Sequence, residues 1–382
     1  MTPAKKTTIH EAFDALQDPR QEWKVEHPLV NLIFLTVCGT LCGADNWVEI
    51  EGFGHAQQAW LAEYLDLTAG IPSHDTLGRV FGQLDGEAFS HCFVVWMTRI
   101  GERQGRQIAI DGKVMCGSRD KGLGREAIDM VSAFAVEAGL TLAQRKVDEK
   151  SNEITAIPFL LDMLTLQDTV VTIDAIGCQT EIAEQIGRRG GDYILALKGN
   201  QGQLVEDVAN MFAYFEKIGF KDVAHTYYRQ ANDGHGRLEI RECWVFSPHE
   251  YPTYFRTLDK WPHLRSVVMV ISERHLDQKI SRERRFFISS RADNARAHLA
   301  YIRSHWAIEN KLHWVLDVAF REDHHRAREG ESAANLAIVR HLVLNLLRLD
   351  HSFKGGIHAK RLKCAWDVSY RLRILQQLFS SN

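Results

Sequence analysis

The chain has no C-x-x-C pair, no H-E-x-x-H motif, no surplus of basic residues and no apolar run long enough to span a bilayer. Each absence excludes something. Seven scattered cysteines support neither a disulfide framework nor a thiolate zinc site, so reduced, buried thiols in a cytoplasmic protein are expected. The most apolar stretch, Leu29 to Ala44, is about 16 residues and includes Asn31, Thr36 and Thr40. A membrane helix needs about 20 apolar residues, so this stretch reads as a buried core helix and no membrane partner is expected. No basic-then-apolar leader precedes it, so no export is expected. Internal repeats and low-complexity tracts are also missing.

The formal net charge of −3 rules out a uniformly basic surface, so any grip on a polyanion must be local. Residues 1–100 carry six Lys/Arg against thirteen Asp/Glu, whereas residues 351–382 carry six Lys/Arg against Asp367 alone. The C-terminal segment is therefore the expected basic face.

What is present is an ordinary globular composition: 382 residues, 45% hydrophobic and 25% charged. One main domain with appendages, or two domains, fits that length. Residues 1–104 read as a helical region. In it, Ser73 is a candidate N-cap before Leu77, Val80, Phe81 and Leu84 at helical spacing. The helix after "GIPS" could belong to a helix-turn-helix, but the acidic balance argues against that.

The texture changes near residue 105. "RQIAIDGKV" reads as a strand ending in Asp-Gly, and "MVSAFAVEAGLTLAQRKVD" as a hairpin turning at Glu137-Ala138-Gly139. "EITAIPFLLDMLTL" suits a helix with Pro158 in or before its first turn. Strand, helix and strand follow, giving a mixed α/β sheet with flanking helices. Residues 201–218 look helical, residues 221–290 form a β-rich insertion, and a helical pattern resumes from Asp293. The expected division is residues 1–104, 105–350 and a basic segment 351–382.

Two acids stand out. Asp111 ends the apolar run "IAID" and Asp174 ends "VVTID", and open α/β sheets place sites beyond strand ends. The plainer alternative for each is an Asp capping the turn that follows. In "YIRSHWAIENKLHWVLDVAF", His305, Glu309, His313 and Asp317 recur every four residues and should share one helix face, which could equally be solvated. Two strand-end acids with one helical acid meet the needs of phosphoryl transfer with two Mg²⁺ ions, for which Mn²⁺ can substitute.

The segments "AIDGK", "DEKSNEITAIP", "TIDAIGCQ", "GGDYILALKGNQG", "HGRLEIRE" and "HWAIENKLHWVLDVAFRED" resemble the H-repeat-associated group of bacterial insertion-sequence transposases, of the Asp-Asp-Glu type. "GADNWVEIEGFG" and "GIPSHDTLGRVF" extend the resemblance over about residues 10–350. It implies a ribonuclease H-like domain with a β-rich insertion before the catalytic Glu. The three acids carry over to Asp111, Asp174 and Glu309, as catalytic residues and metal ligands. It implies double-stranded DNA as partner, in the form of terminal inverted repeats and target, and self-association into at least a dimer. Arg303 and Trp306 also fall on family-like positions. Two places depart from the pattern. Val114 and Cys116 stand where similar proteins have Thr and Arg, and His305 and Leu316 replace the Arg and Lys of a Tyr-Arg-Glu-Lys signature.

Further candidates for DNA or supporting contacts are Lys113, Lys198, Asn200, His235, Arg237, Arg303 and Asn310. Glu153 can be read as a fourth metal-site carboxylate. The preferred reading is a helix-start acid behind a Ser151 or Asn152 cap. Two rival functions remain. One is a non-catalytic DNA-binding protein derived from a transposase. The other is a zinc hydrolase using His305, Glu309, His313 and His324 or His325.

Overall fold

The computed structural model describes residues 13, 15–100, 105–119, 122, 124, 126–147, 152–234, 236–276 and 279–378. The longer helices before the sheet are α1 (Leu29–Leu41), α2 (Trp47–Ala56), α3 (His74–Gln83) and α4 (Gly86–Ile100). Helix α1 is buried from Asn31 to Leu41, as its largely apolar run predicts. Asn46 caps α2 by accepting from the Glu49 N–H, and Ser73 caps α3 by accepting from the Thr76 N–H. Leu77, Val80 and Phe81 form the buried stripe of α3.

The sheet begins with β1 (Gln107–Met115), β2 (Ile128–Ala135) and β3 (Leu140–Lys146), followed by α5 (Glu153–Met163), β4 (Val170–Ile173), α6 (Thr180–Arg188) and β5 (Asp192–Leu197). After α7 (Gly202–Lys217) come β6 (Thr226–Gly234), β7 (Arg237–Phe246), β8 (Ser266–Leu276) and β9 (Lys279–Ser289). All nine strands join one sheet in the order β3-β2-β1-β4-β5-β9-β8-β7-β6. Strands β1, β4 and β5 run parallel, while β2 and β3 return antiparallel on one side and β9 on the other. Three antiparallel strands leading into parallel strands through crossover helices form the expected ribonuclease H-like arrangement. The β-rich segment does not fold back separately: its four strands prolong the same sheet.

The chain closes with α8 (Ala295–His305), a π-helical turn (Ile308–His313), α9 (Trp314–Phe320), α10 (Ser332–Leu349), α11 (Ile357–Trp366) and α12 (Val368–Gln376). Helix α10 is buried from Ser332 to Leu347 and packs against α1, α3, α4, β2 and β3. It thereby joins the N-terminal helices to the sheet in one core. Each fully buried Leu, Val or Phe there contributes on the order of 2 kcal/mol. Helix α8 lies on the sheet through Ala295, Leu299 and Ile302, which pack on Val170, Ile194, Val270 and Phe287.

Three expectations are corrected. Strand β1 does not end at Asp111 but runs to Met115, because β2 continues beside it, pairing Asp111 with Ser132 and Lys113 with Met130. Pro158 sits inside α5 rather than in its first turn, and burial of Ala156, Ile157, Leu160 and Leu161 holds the helix despite the lost hydrogen bond. The C-terminal segment is not a free basic face. Lys360, Arg361 and Arg371 are buried, and Lys363 pairs with Asp367 at 2.7 Å. The Arg361 guanidinium donates to the Thr40 and Ala44 carbonyls and lies 2.8 Å from Asp45; Lys360 donates to the Leu347 and Asp350 carbonyls. Their charge serves to satisfy orphaned backbone oxygens. Among the described residues no helix is long and apolar enough to cross a membrane.

Candidate active site

Parallel pairing of β1 with β4 ends at Ile110 and Ile173, and the next residue on each chain is acidic. Asp111 and Asp174 therefore occupy neighbouring positions where β1 outruns β4. The Asp174 carboxylate also accepts from the Ile176 N–H at 3.0 Å, the turn-capping contact expected of a strand-end Asp. Glu309 reaches the same cleft from the π-helical turn after α8. The cleft encloses about 300 Å³ and is lined by Asp111, Asp174, Lys198, His305, Trp306 and Glu309, among others.

Glu153 joins them from the opposite side. Asn152 caps α5 by accepting from the Ile154 N–H, which puts Glu153 in the first turn, as the plainer reading expected. Its carboxylate nevertheless stands directly over Gly112, where any Cβ would collide with it. Glycine at 112 makes room for that acid. Burial first, then Asp174 and Asp129, raise the Glu153 pKa. Burial, then the charges of Asp174, Glu153 and Glu309, push the Asp111 carboxyl up to about 7. Four acids thus share one electrostatic environment with too little positive charge among them. They are not drawn onto a single point, for no group of three or more His, Cys, Asp or Glu among the described residues is arranged to hold a metal ion.

Two polar networks fix the Glu309 segment against the sheet. At one end, Gln107 donates to Thr172 Oγ1 at 3.1 Å and to the Tyr301 carbonyl at 3.0 Å, and accepts from Ser304. Thr172 Oγ1 shares a 2.9 Å hydrogen bond with His305 Nδ1. Burial lowers the His305 pKa to about 4 against the opposing pull of Asp174, so the imidazole is neutral. At the other end Lys113, nearly buried, lies 2.8 Å from Asp317, 3.0 Å from Asp323 and 3.3 Å from Glu322. Of the two roles expected for Lys113, contact with DNA or support of the site, these ion pairs fit the supporting one.

His305, Glu309, His313 and Asp317 all turn toward β1: the first two line the cleft, His313 approaches Asp111 and Asp317 pairs with Lys113. A Trp314 N–H bonds back to the Glu309 carbonyl, five residues earlier, and this wider turn leaves Glu309 exposed while His313 is buried. His313 Nδ1 lies 3.7 Å from Asp111, and burial lowers its pKa to about 4. His325 is buried edge-on to Trp47 and His324 is exposed, so the histidines of the zinc reading do not converge.

The other expected contacts separate. Lys198 is exposed at the cleft, whereas Asn200 donates to the Ala175 carbonyl at 2.6 Å and shapes the turn after Asp174. Asn310 donates to the Trp306 carbonyl. Arg237 and Arg303 lie in an adjoining groove on the sheet, and His235 falls outside the described residues. Val114 and Cys116 are exposed. The arginines at 241, 274 and 285 that share this groove were missed, although alternate spacing in "RLEIRE" would place 237 and 241 on one strand face.

Residues 102–346 match the family described as "Transposase DDE domain", and residues 10–97 match "DDE_Tnp_1-associated". The chain belongs to the H repeat-associated family of DDE transposases. Among its relatives, "Putative transposase YncI" of Escherichia coli O157:H7 is 41% identical over 370 residues, covering 95% of this chain and 93% of that protein. "H repeat-associated putative transposase YhhI" of Escherichia coli (strain K12) is 39% identical over 375 residues, covering 96% and 97%. A solved piggyBac transposase synaptic complex with hairpin DNA matches with a TM-score of 0.39 and 10% identity, over 98% of this chain and 82% of that one. That likeness is too slight to carry an argument. Asp111, Asp174 and Glu309 all lie inside the segment that matches the transposase domain.

Proposed function

We propose that this transposase cuts and joins phosphodiester bonds at the ends of an insertion sequence. Asp111, Asp174 and Glu309 would hold two Mg²⁺ ions, with Mn²⁺ able to substitute, and Glu153 would serve as a fourth carboxylate. The observation that carries the reading is the convergence of Asp111, Asp174 and Glu309 on one cleft, with the Glu153 carboxylate standing over neighbouring Gly112. Such a cluster is short of positive charge, and oxygen donors of this kind suit hard divalent cations. Bound there, the ions would activate an attacking oxygen and offset charge on the leaving one.

The chain's own residues do the rest. Gln107, Thr172 and neutral His305 hold α8 in register on the sheet, and Lys113 holds the far end of the Glu309 segment. Lys198 places a cation at the cleft mouth, suited to a phosphate. Attack by water would free a 3′ hydroxyl, whose attack on target DNA would join the strands without a covalent enzyme intermediate. Two ends must act together, so a dimer is the expected working unit, in the cytoplasm.

The test is incubation of the full chain with MgCl₂ and a labelled duplex carrying the inverted repeat beside its gene. Nicking that exposes a 3′ hydroxyl at the repeat boundary is the expected result, with strand transfer when target duplex is added. Stable binding without nicking would favour the non-catalytic DNA-binding protein instead.

A further inference from the structure

The sheet extension carries an arginine-lined face that none of the four acids explains. Cross-strand register sets Arg237 and Arg241 of β7, Arg274 of β8 and Arg285 of β9 on the same face. Helix α8 walls this face and adds Arg296 and Arg303. A groove of about 700 Å³ runs between them, and Arg285, Phe287, Ile302 and Trp306 line both it and the acidic cleft.

The positive charge here is only partly neutralised. Glu239 serves both Arg237, at 3.0 Å, and Arg241, at 2.6 Å. Glu283 pairs with Arg285 at 2.8 Å, and Arg303 donates to the neutral Gln230. Arg274 stands opposite the same Glu239 in register, so one carboxylate is shared by three arginines, and Arg241 Nη1 is buried without a hydrogen-bond partner. Glu273 and Arg282 stand opposite one another in register on the other sheet face, where Glu273 pairs with His275 at 2.5 Å. Against the chain's net charge of −3, this is a concentrated basic surface.

Its dimensions suit a polyanion that continues out of the cleft. Arg285 pairs with Val270, which pairs with Cys243, six residues from Arg237 along β7. At a strand rise of about 3.3 Å the face extends roughly 20 Å from the cleft mouth. That is about six base pairs of duplex at 3.4 Å per step. Exposed Trp306, with Arg285 over its ring at 5.1 Å, marks the junction.

We propose that this arginine face of β7, β8, β9 and α8 seats the sugar-phosphate backbone of the duplex whose cleaved bond lies in the acidic cleft, without reading its sequence. The inference rests on the transposase reading of that cleft and adds where the flanking duplex lies. Arginine forks bind phosphates in pairs of hydrogen bonds, and phosphate contacts position a duplex without specifying bases.

The test measures binding of the full chain to a fluorescein-labelled duplex of unrelated sequence, by anisotropy, over a series of NaCl concentrations. Arg237→Ala combined with Arg274→Ala is expected to reduce the slope of log affinity against log salt by about 2, near 0.9 per lost phosphate contact. Arg237→Lys combined with Arg274→Lys should keep the slope, which separates charge from folding. Lys354→Ala with Arg373→Ala, at the exposed C-terminal cations, should leave it unchanged. The same slope in wild type and the double Ala variant would overturn the proposal, as would loss of slope on the C-terminal change or a wild type that binds no duplex. Mg²⁺-dependent nicking, run on the same preparations, keeps the two readings apart. Binding with the expected slope change but no nicking contradicts the catalytic reading alone; nicking with an unchanged slope contradicts the groove alone.

Discussion

The Lys113 ammonium lies 2.8 Å from the Asp317 carboxylate, tying the strand that carries Asp111 to the helix that follows Glu309. Fully buried Glu322, 3.3 Å away, depends on the same ammonium and on Arg340 at 3.7 Å. Lys113→Met would leave buried carboxylates without their partner. The expected loss is about 3 kcal/mol of folding stability, measured as a lowered urea midpoint with unchanged m-value. An unchanged midpoint would mean that the acids relax into water and that Lys113 does not hold the two elements together.

Gly112 and Glu153 give a separate test of the fourth acid. Glu153→Gln keeps size and cap geometry but removes the charge, so nicking should fall by at least about 10-fold, in the range seen when supporting groups of metal sites are lost. Thermal midpoints should barely move. Gly112→Ala drives a methyl against the same carboxylate and should reduce nicking in the same direction. Full activity in Glu153→Gln would return Glu153 to the role of a helix-start acid.

Arg361 separates the buried structural cations of the C-terminal segment from its exposed ones. Arg361→Met leaves the Thr40 and Ala44 carbonyls and Asp45 without their donor. A destabilisation of about 3 kcal/mol is expected. Arg373→Ala, at an exposed position, should cost nothing measurable in the same denaturation experiment.

Buried histidines set the acid limit of stability. Burial lowers the pKa of His325 to about 3 and also lowers those of His298 and His341. The unfolded chain protonates such groups near pH 6.5, well before the folded chain does. Unfolded protein then binds more protons as pH falls, so stability present above about pH 6.5 is lost progressively toward the folded values. Each such histidine steepens the decline by up to about 1.4 kcal/mol per pH unit. Urea titrations at pH 7.5 and pH 5 should show it, and His325→Gln should flatten the slope. An equal slope in that variant would remove His325 from the account.

Much of this was legible in the residues. Apolar runs closing on Asp111 and Asp174 marked the adjacent strands, and Ser73 announced its helix, because local polarity determines both. Less local features were not readable. The π-turn at Glu309 depends on how α8 and α9 pack, and a four-residue spacing gave no sign of the five-residue bond. The C-terminal surplus of cations misled because carbonyls distant in sequence, from Thr40 and Ala44, absorb Arg361. Lys113 could be read toward DNA or toward the site's support, and only the packing of Asp317 and Glu322 against it shows the second. The arginine face needed the order β9-β8-β7 before alternate arginines could be placed beside the cleft.

The most direct test of the central claim compares Mg²⁺-dependent nicking of an end-carrying duplex by wild type, Asp111→Asn, Asp174→Asn and Glu309→Gln. Each substitution preserves shape and removes one negative oxygen ligand, worth several kcal/mol of transition-state charge stabilisation. Nicking by all three variants should fall by about 10³-fold or more, while binding of the same duplex persists. Near-wild-type nicking by any of the three would contradict the account.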